Sequence, residues 1–137
     1  MGSDTRSAAG RADGRSEGRR PLVLVVDDDP DIADSVADVL RSGGYDVEKA
    51  ANGATALRHV TTLRIDLVLL DWRLPDQPAG SMLVRYIRDA LGPVPIVVLS
   101  ADPTSLVEAR EAAVSDYLPK PFEVADLLHL VDVYCPG

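Results

Sequence analysis

The chain has 137 residues, enough for one domain and too few for two of ordinary size. Twenty-two acidic residues against 14 basic ones give a net charge of −8, which argues against unaided binding to nucleic acid or an anionic membrane. The single cysteine, Cys135, excludes a disulfide framework and a cysteine-based metal site, and no apolar run approaches the ~18 residues that suggest a membrane span.

Residues 1–20 contain Gly, Ser, Ala and charges, with nothing aliphatic after Met1 larger than Ala. Such a segment buries too little apolar area to offset its ordering entropy, so a disordered tail is expected over 1–20 and a folded domain over 21–137. No apolar stretch of secretory type follows the N-terminus, and a cytoplasmic α/β protein is the expectation. The tail holds five Arg and three acids, which leaves −10 on the remainder.

From Pro21 onward, strand-like and helix-like segments alternate. Leu22–Val26 is a continuous aliphatic run of the kind buried on both faces of a parallel sheet. Ile32, Val36, Val39 and Leu40 have helical spacing, with Pro30 in the first turn and Gly43-Gly44 as a stop. Tyr45–Lys49 reads as a more polar edge strand, Asn52-Gly53 as a turn, and Ala56, Leu57 and Val60 as a second helix. Ile65–Leu70 and Pro95–Leu99 are further buried strands, separated by a helix over 81–91. Ser105–Ala113 is read as an Ala-rich helix, Asp116–Leu118 as a short strand, and Val124, Leu127, Leu128 and Val131 as a last helix. Cys135, His59 and His129 are expected on the solvated surface.

Repeated βαβ crossovers impose a parallel sheet with helices on both faces; five such units make a doubly wound domain, and the known solution of this size is the flavodoxin-like strand order 2-1-3-4-5. Ligands of such sheets bind beyond the carboxyl ends of the strands. There the sequence places Asp27-Asp28-Asp29 after the first strand, Asp71 at the third, Ser100 at the fourth and Lys120 just past the fifth. Asp27, Asp28 and Asp71 would repel one another without a cation, and an oxygen-only set suits Mg²⁺ or Mn²⁺ rather than zinc. A lysine and a hydroxyl facing that cation describe a phosphoryl site. An EF-hand reading of Asp27, Asp29 and Asp31 fails, because Ile32 and Asp38 stand where that loop needs Gly and Glu. Asp29 and Asp31 read instead as a helix cap and first-turn partners of the helix dipole.

Four stretches, VLVVDDDPDI (23–32), LVLLDWRLPD (67–76), PIVVLSA (95–101) and DYLPKPF (116–122), together resemble the receiver domain of bacterial two-component response regulators. The resemblance implies that Asp71 is the phosphoacceptor and that Asp28 and Asp71 ligate Mg²⁺ directly. It implies that Asp27 acts through water and that the backbone carbonyl of Arg73 completes the protein ligands. Lys120 would pair with the phosphoryl oxygens, Ser100 would supply the hydroxyl, Tyr117 would be the aromatic switch, and Pro121 would follow a cis peptide bond. The implied partner is a histidine kinase or a histidine phosphotransfer protein, with an unnamed output protein and either a monomer or a phosphorylation-dependent dimer. Slow self-dephosphorylation is the most turnover expected.

The chain departs from the family pattern in three places. The loop Asp76-Gln77-Pro78-Ala79-Gly80 is one residue longer than usual, the span from Ser100 to Tyr117 is about two residues short, and Ala113-Val114-Ser115 replaces the glycine usual before the fifth strand. Two alternatives stay open: a receiver cut from a longer regulator, and a small Mg²⁺-dependent phosphohydrolase of haloacid-dehalogenase type. The latter needs a substrate-enclosing insertion for which residues 21–137 leave no room.

Overall fold

The computed structural model describes residues 20–74 and 80–135. The tail expected over 1–20 and the long loop at 76–80 therefore fall, but for Arg20 and Gly80, outside the described residues. In chain order the elements are β1 (Leu22–Val26), α1 (Pro30–Ser42), β2 (Asp46–Ala50), α2 (Gly53–Thr62), β3 (Leu67–Asp71), α3 (Gly80–Leu91), β4 (Ile96–Ser100), α4 (Thr104–Glu111), β5 (Asp116–Pro119) and α5 (Val124–Tyr134). The five strands form one parallel sheet in the order β2-β1-β3-β4-β5.

Side chains alternate across this sheet because strand periodicity is two. Val23, Val25, Leu67, Leu69, Val97 and Leu99 face α1 and α5, where Val36, Leu40, Leu127 and Val131 complete one buried layer. Leu24, Val26, Val68, Leu70, Ile96 and Val98 face the other way, against Ala56 and Val60 of α2, Leu83 and Ile87 of α3, and Ala109 of α4. A Leu such as Leu69 or Leu70, with no exposed surface, contributes about 1.5–3 kcal/mol by burial.

Local signals set the helix ends. Asp29 caps α1, its carboxylate accepting from the N–H groups of Asp31 and Ile32 at 3.0 and 3.3 Å. Asn52 caps α2 by accepting from Thr55 N–H at 2.8 Å. At the start of α3, a Cβ on Gly80 would stand 2.7 Å from the Trp72 ring, so only glycine lets the helix approach that indole.

Three expectations need correction. The fourth helix ends at Glu111 rather than Ala113, because Ala113 turns into the left-handed region with φ 59°. Leu22–Val26 stands as predicted, and the other strand boundaries move by no more than two residues, since ladder pairing rather than hydropathy decides where a strand stops. Cys135 is buried rather than solvated: it caps α5 four residues after Val131 and eight after Leu127, in line with their inner face, and belongs to the same core. His129 is exposed and His59 half-buried.

Candidate phosphorylation site

The sheet carries its polar residues to one edge by continuing its ladders past the aliphatic runs. Asp27 N–H donates to Ala50 O at 3.0 Å, one residue beyond β1. Asp71 pairs with Leu99, and Lys120 N–H donates to Ser100 O at 2.9 Å just beyond β5. These backbone bonds place Asp27, Asp71, Ser100 and Lys120 side by side at the carboxyl ends of four adjacent strand paths.

Asp27, Asp28 and Asp71 each offer a carboxylate oxygen within 4.8 Å of the others. Asp27 and Asp71 are buried and Asp28 is exposed. Lys120 Nζ lies 2.8 Å from Asp27 Oδ2 and 3.6 Å from Asp71 Oδ2. The remaining oxygen of Asp27 accepts from Asp29 N–H at 2.9 Å, and Asp71 Oδ1 accepts from Arg73 N–H at 3.2 Å. The peptide bond between Lys120 and Pro121 is cis, as the resemblance implied.

Burial is the largest influence on Asp71 and raises its pKa; the Lys120 charge opposes it, the Asp27 charge adds to it, and the result is about 6. Burial alone would depress the Lys120 ammonium, but the Asp27 hydrogen bond and the charges of Asp71 and Asp27 outweigh it, so its pKa stands above the ordinary lysine value. The site thus concentrates more negative charge than its one lysine neutralises. Oxygen donors only, two of them beside an exposed third, fit a hydrated divalent cation of the Mg²⁺ class.

A family model for the response regulator receiver domain matches residues 23–132. The chain belongs to this family. It is a receiver domain of the two-component type, a signalling domain rather than a conventional enzyme. Among curated relatives, the DNA-binding response regulator MtrA of Mycolicibacterium smegmatis is 42% identical over 111 residues, which cover 80% of this chain and 48% of that protein. The transcriptional regulatory protein PrrA of Mycobacterium tuberculosis is 42% identical over 110 residues, 79% of this chain and 47% of PrrA. The chain therefore spans about half the length of these curated relatives. Among solved structures, the Vibrio cholerae chemotaxis protein CheY4 superposes with a TM-score of 0.78 at 29% identity, covering 85% of this chain and 99% of CheY4. The receiver domain of a Pseudomonas aeruginosa sensor histidine kinase gives 0.79 at 32% identity, covering 87% and 100%; that structure has a magnesium ion coordinated in its active-site cleft.

Beyond the carboxylates, this receiver domain ties its site to α4 by contacts that the sequence did not signal. Ser100 is 2% exposed; its Oγ accepts from Asp102 N–H at 3.1 Å and donates to Ser105 Oγ at 3.0 Å. Trp72, next to the candidate acceptor, is buried, and its indole N–H donates to Glu108 Oε1 at 2.7 Å. The Arg73 guanidinium pairs with Asp102 and donates to Thr104 Oγ1 at 3.0 Å. Hydrogen bonds from Thr104, foremost its backbone N–H, and then from Arg73 hold the Asp102 carboxyl below the usual carboxylate range. Half-buried Tyr117 donates its hydroxyl to Asp102 O at 3.1 Å, spanning from β5 to the β4–α4 loop. A cleft of about 670 Å³ between α4 and β5 has Ser100, Leu106, Arg110 and Tyr117 in its walls.

Within Ala113-Val114-Ser115, the stretch before β5, Ala113 takes the left-handed conformation that favours glycine, with φ 59°. Its carbonyl accepts from Arg88 Nη2 at 3.2 Å, and Arg88 Nη1 donates to Val94 O at 3.0 Å, so α3 holds the turn that alanine disfavours.

Proposed function

We propose that this receiver domain, residues 21–137, accepts a phosphoryl group on Asp71 from the phosphohistidine of a histidine kinase or a histidine phosphotransfer protein in the cytoplasm. What carries the reading is the position of Asp71: at the end of β3, between the Lys120 ammonium and the acidic pair Asp27 and Asp28. An Asp71 carboxylate oxygen forms the new O–P bond while the donor's N–P bond breaks and its electron pair returns to the imidazole nitrogen. Asp28 and Asp71 would hold Mg²⁺ directly, with Mn²⁺ able to substitute, helped by the Arg73 backbone carbonyl. Asp27, whose two oxygens already serve Lys120 and Asp29, would act through water. The bound cation supplies positive charge against the phosphoryl oxygens, which otherwise meet a cluster of carboxylates.

Lys120 pairs with a phosphoryl oxygen from the opposite side, and Ser100 donates a hydroxyl to another. Tyr117 follows Ser100, because its hydroxyl is bonded to the loop that Ser100 anchors. An apolar groove of about 540 Å³ beside Lys120, with Ile32, Val39, Phe122 and Leu127 in its walls, offers the phosphodonor protein a place to dock. The acidic body speaks against direct nucleic-acid contact by this domain, so its output is a protein surface, as a monomer or a phosphorylation-dependent dimer. Turnover is limited to slow self-dephosphorylation. Acetyl phosphate with Mg²⁺ should add one phosphoryl group to the intact mass of the wild type and none to Asp71→Asn. Full labelling of that variant would refute the assignment.

A further inference from the structure

Ser100 holds one hydroxyl proton, and in the resting protein that proton points to Ser105, whose side chain is wholly buried in the first turns of α4. The oxygen of Ser100 meanwhile accepts from Asp102 N–H. Ser100 therefore cannot donate to a phosphoryl oxygen on Asp71 until it leaves Ser105, and leaving strands a buried hydroxyl that water does not reach. We infer that Ser105 is a positioning residue that opposes activation by committing the Ser100 hydroxyl to α4. This rests on the phosphoacceptor reading of Asp71 and deepens it by naming what the unphosphorylated state must break.

The position of Ser105 couples that exchange to the helix. Ser105 N–H donates to Asp102 O at 3.0 Å, the carbonyl that also receives the Tyr117 hydroxyl. The residue before α4, Pro103, has a helical φ of −59° and makes no side-chain cap; the Thr104 N–H is instead held by the Asp102 carboxylate at 2.9 Å, and the Ser100–Ser105 bond ties this first turn to the end of β4. Breaking it loosens the start of α4 together with the loop that holds Tyr117.

The test is beryllofluoride binding at saturating Mg²⁺, read by Trp72 fluorescence and by calorimetry, for wild type, Ser105→Ala, Ser100→Ala and the double variant. Alanine is smaller and a better helix former, so Ser105→Ala should fold. It should bind beryllofluoride about fivefold more tightly, the worth of one net hydrogen bond, with Mg²⁺ affinity unchanged. Ser105→Cys is slightly larger than serine and only a weak acceptor, and it should shift in the same direction. In the Ser100→Ala background the gain should vanish, because Ser105 acts only through Ser100. Unchanged or weaker binding by Ser105→Ala, or an equal gain without Ser100, would overturn the inference while leaving the phosphoacceptor reading intact. A wild type that ignores beryllofluoride with Mg²⁺ would overturn both.

Discussion

Replacing Asp71 by Asn should stabilise the metal-free protein at neutral pH, even though it removes the candidate acceptor. Folding carries the Asp71 carboxyl into the cleft and raises its pKa from 3.8 to about 6. Between those values the native state keeps a proton that the unfolded chain has released. Stability from this group is therefore full below about 3.8 and is lost as pH rises through about 6. At 1.36 kcal/mol per pH unit the full loss would be about 3 kcal/mol. Solvent at the cleft mouth screens part of it, and about 1–2 kcal/mol is the expectation at pH 7.5. Asn keeps the shape without the charge, and Lys120 retains its closer partner Asp27 at 2.8 Å. Thermal unfolding in EDTA should thus give Asp71→Asn a melting temperature about 3–10 °C above wild type at pH 7.5. The difference should shrink toward pH 4.5. Saturating Mg²⁺ should then close or reverse it, because the wild type gains more from the cation. An Asn variant no more stable than wild type in EDTA, or a difference that ignores pH between 4.5 and 7.5, would refute the argument that burial of the Asp71 charge governs this site.

Mg²⁺ at tenfold over its dissociation constant should stabilise the wild type by about 1.4 kcal/mol, and Asp28→Ala should lose most of that shift in a melting assay. Lys120→Ala should keep Mg²⁺ affinity or improve it slightly while weakening the beryllofluoride response; a large loss of Mg²⁺ binding by titration would contradict its place on the phosphoryl side of the site. Ala113→Gly should raise stability by about 0.5–1 kcal/mol in urea unfolding, since φ 59° is strained for alanine and free for glycine, the latter's unfolded entropy taking back part of the gain. A destabilised Ala113→Gly would mean that the alanine methyl earns more in contacts than the turn loses in strain.

Hydropathy and spacing alone determined the alternation of strands and helices, the parallel sheet that such crossovers impose, and the strand-end positions of Asp27, Asp28, Asp71, Ser100 and Lys120, while the strand order came from the known doubly wound fold of this size. These are legible because a parallel sheet buries both faces of its strands, so the first polar residue after each aliphatic run marks its carboxyl end. The Asp29 cap was legible too, since a cap bonds within three residues of itself. The bond from Ser100 to Ser105, the bond from Trp72 to Glu108 and the clasp of Arg73 on Asp102 and Thr104 were decided only by tertiary structure. Each depends on which face of α4 turns inward, and that eight-residue helix buries only Ser105 and Ala109, too little apolar pattern to announce an inner face. Cys135 is intermediate: its spacing from Leu127 and Val131 predicts the core, but its place beside the chain end hid that. The raised pKa of Asp71 belongs wholly to the fold, because burial and the spacing of three charges exist only once β1, β3 and β5 have paired through the sheet.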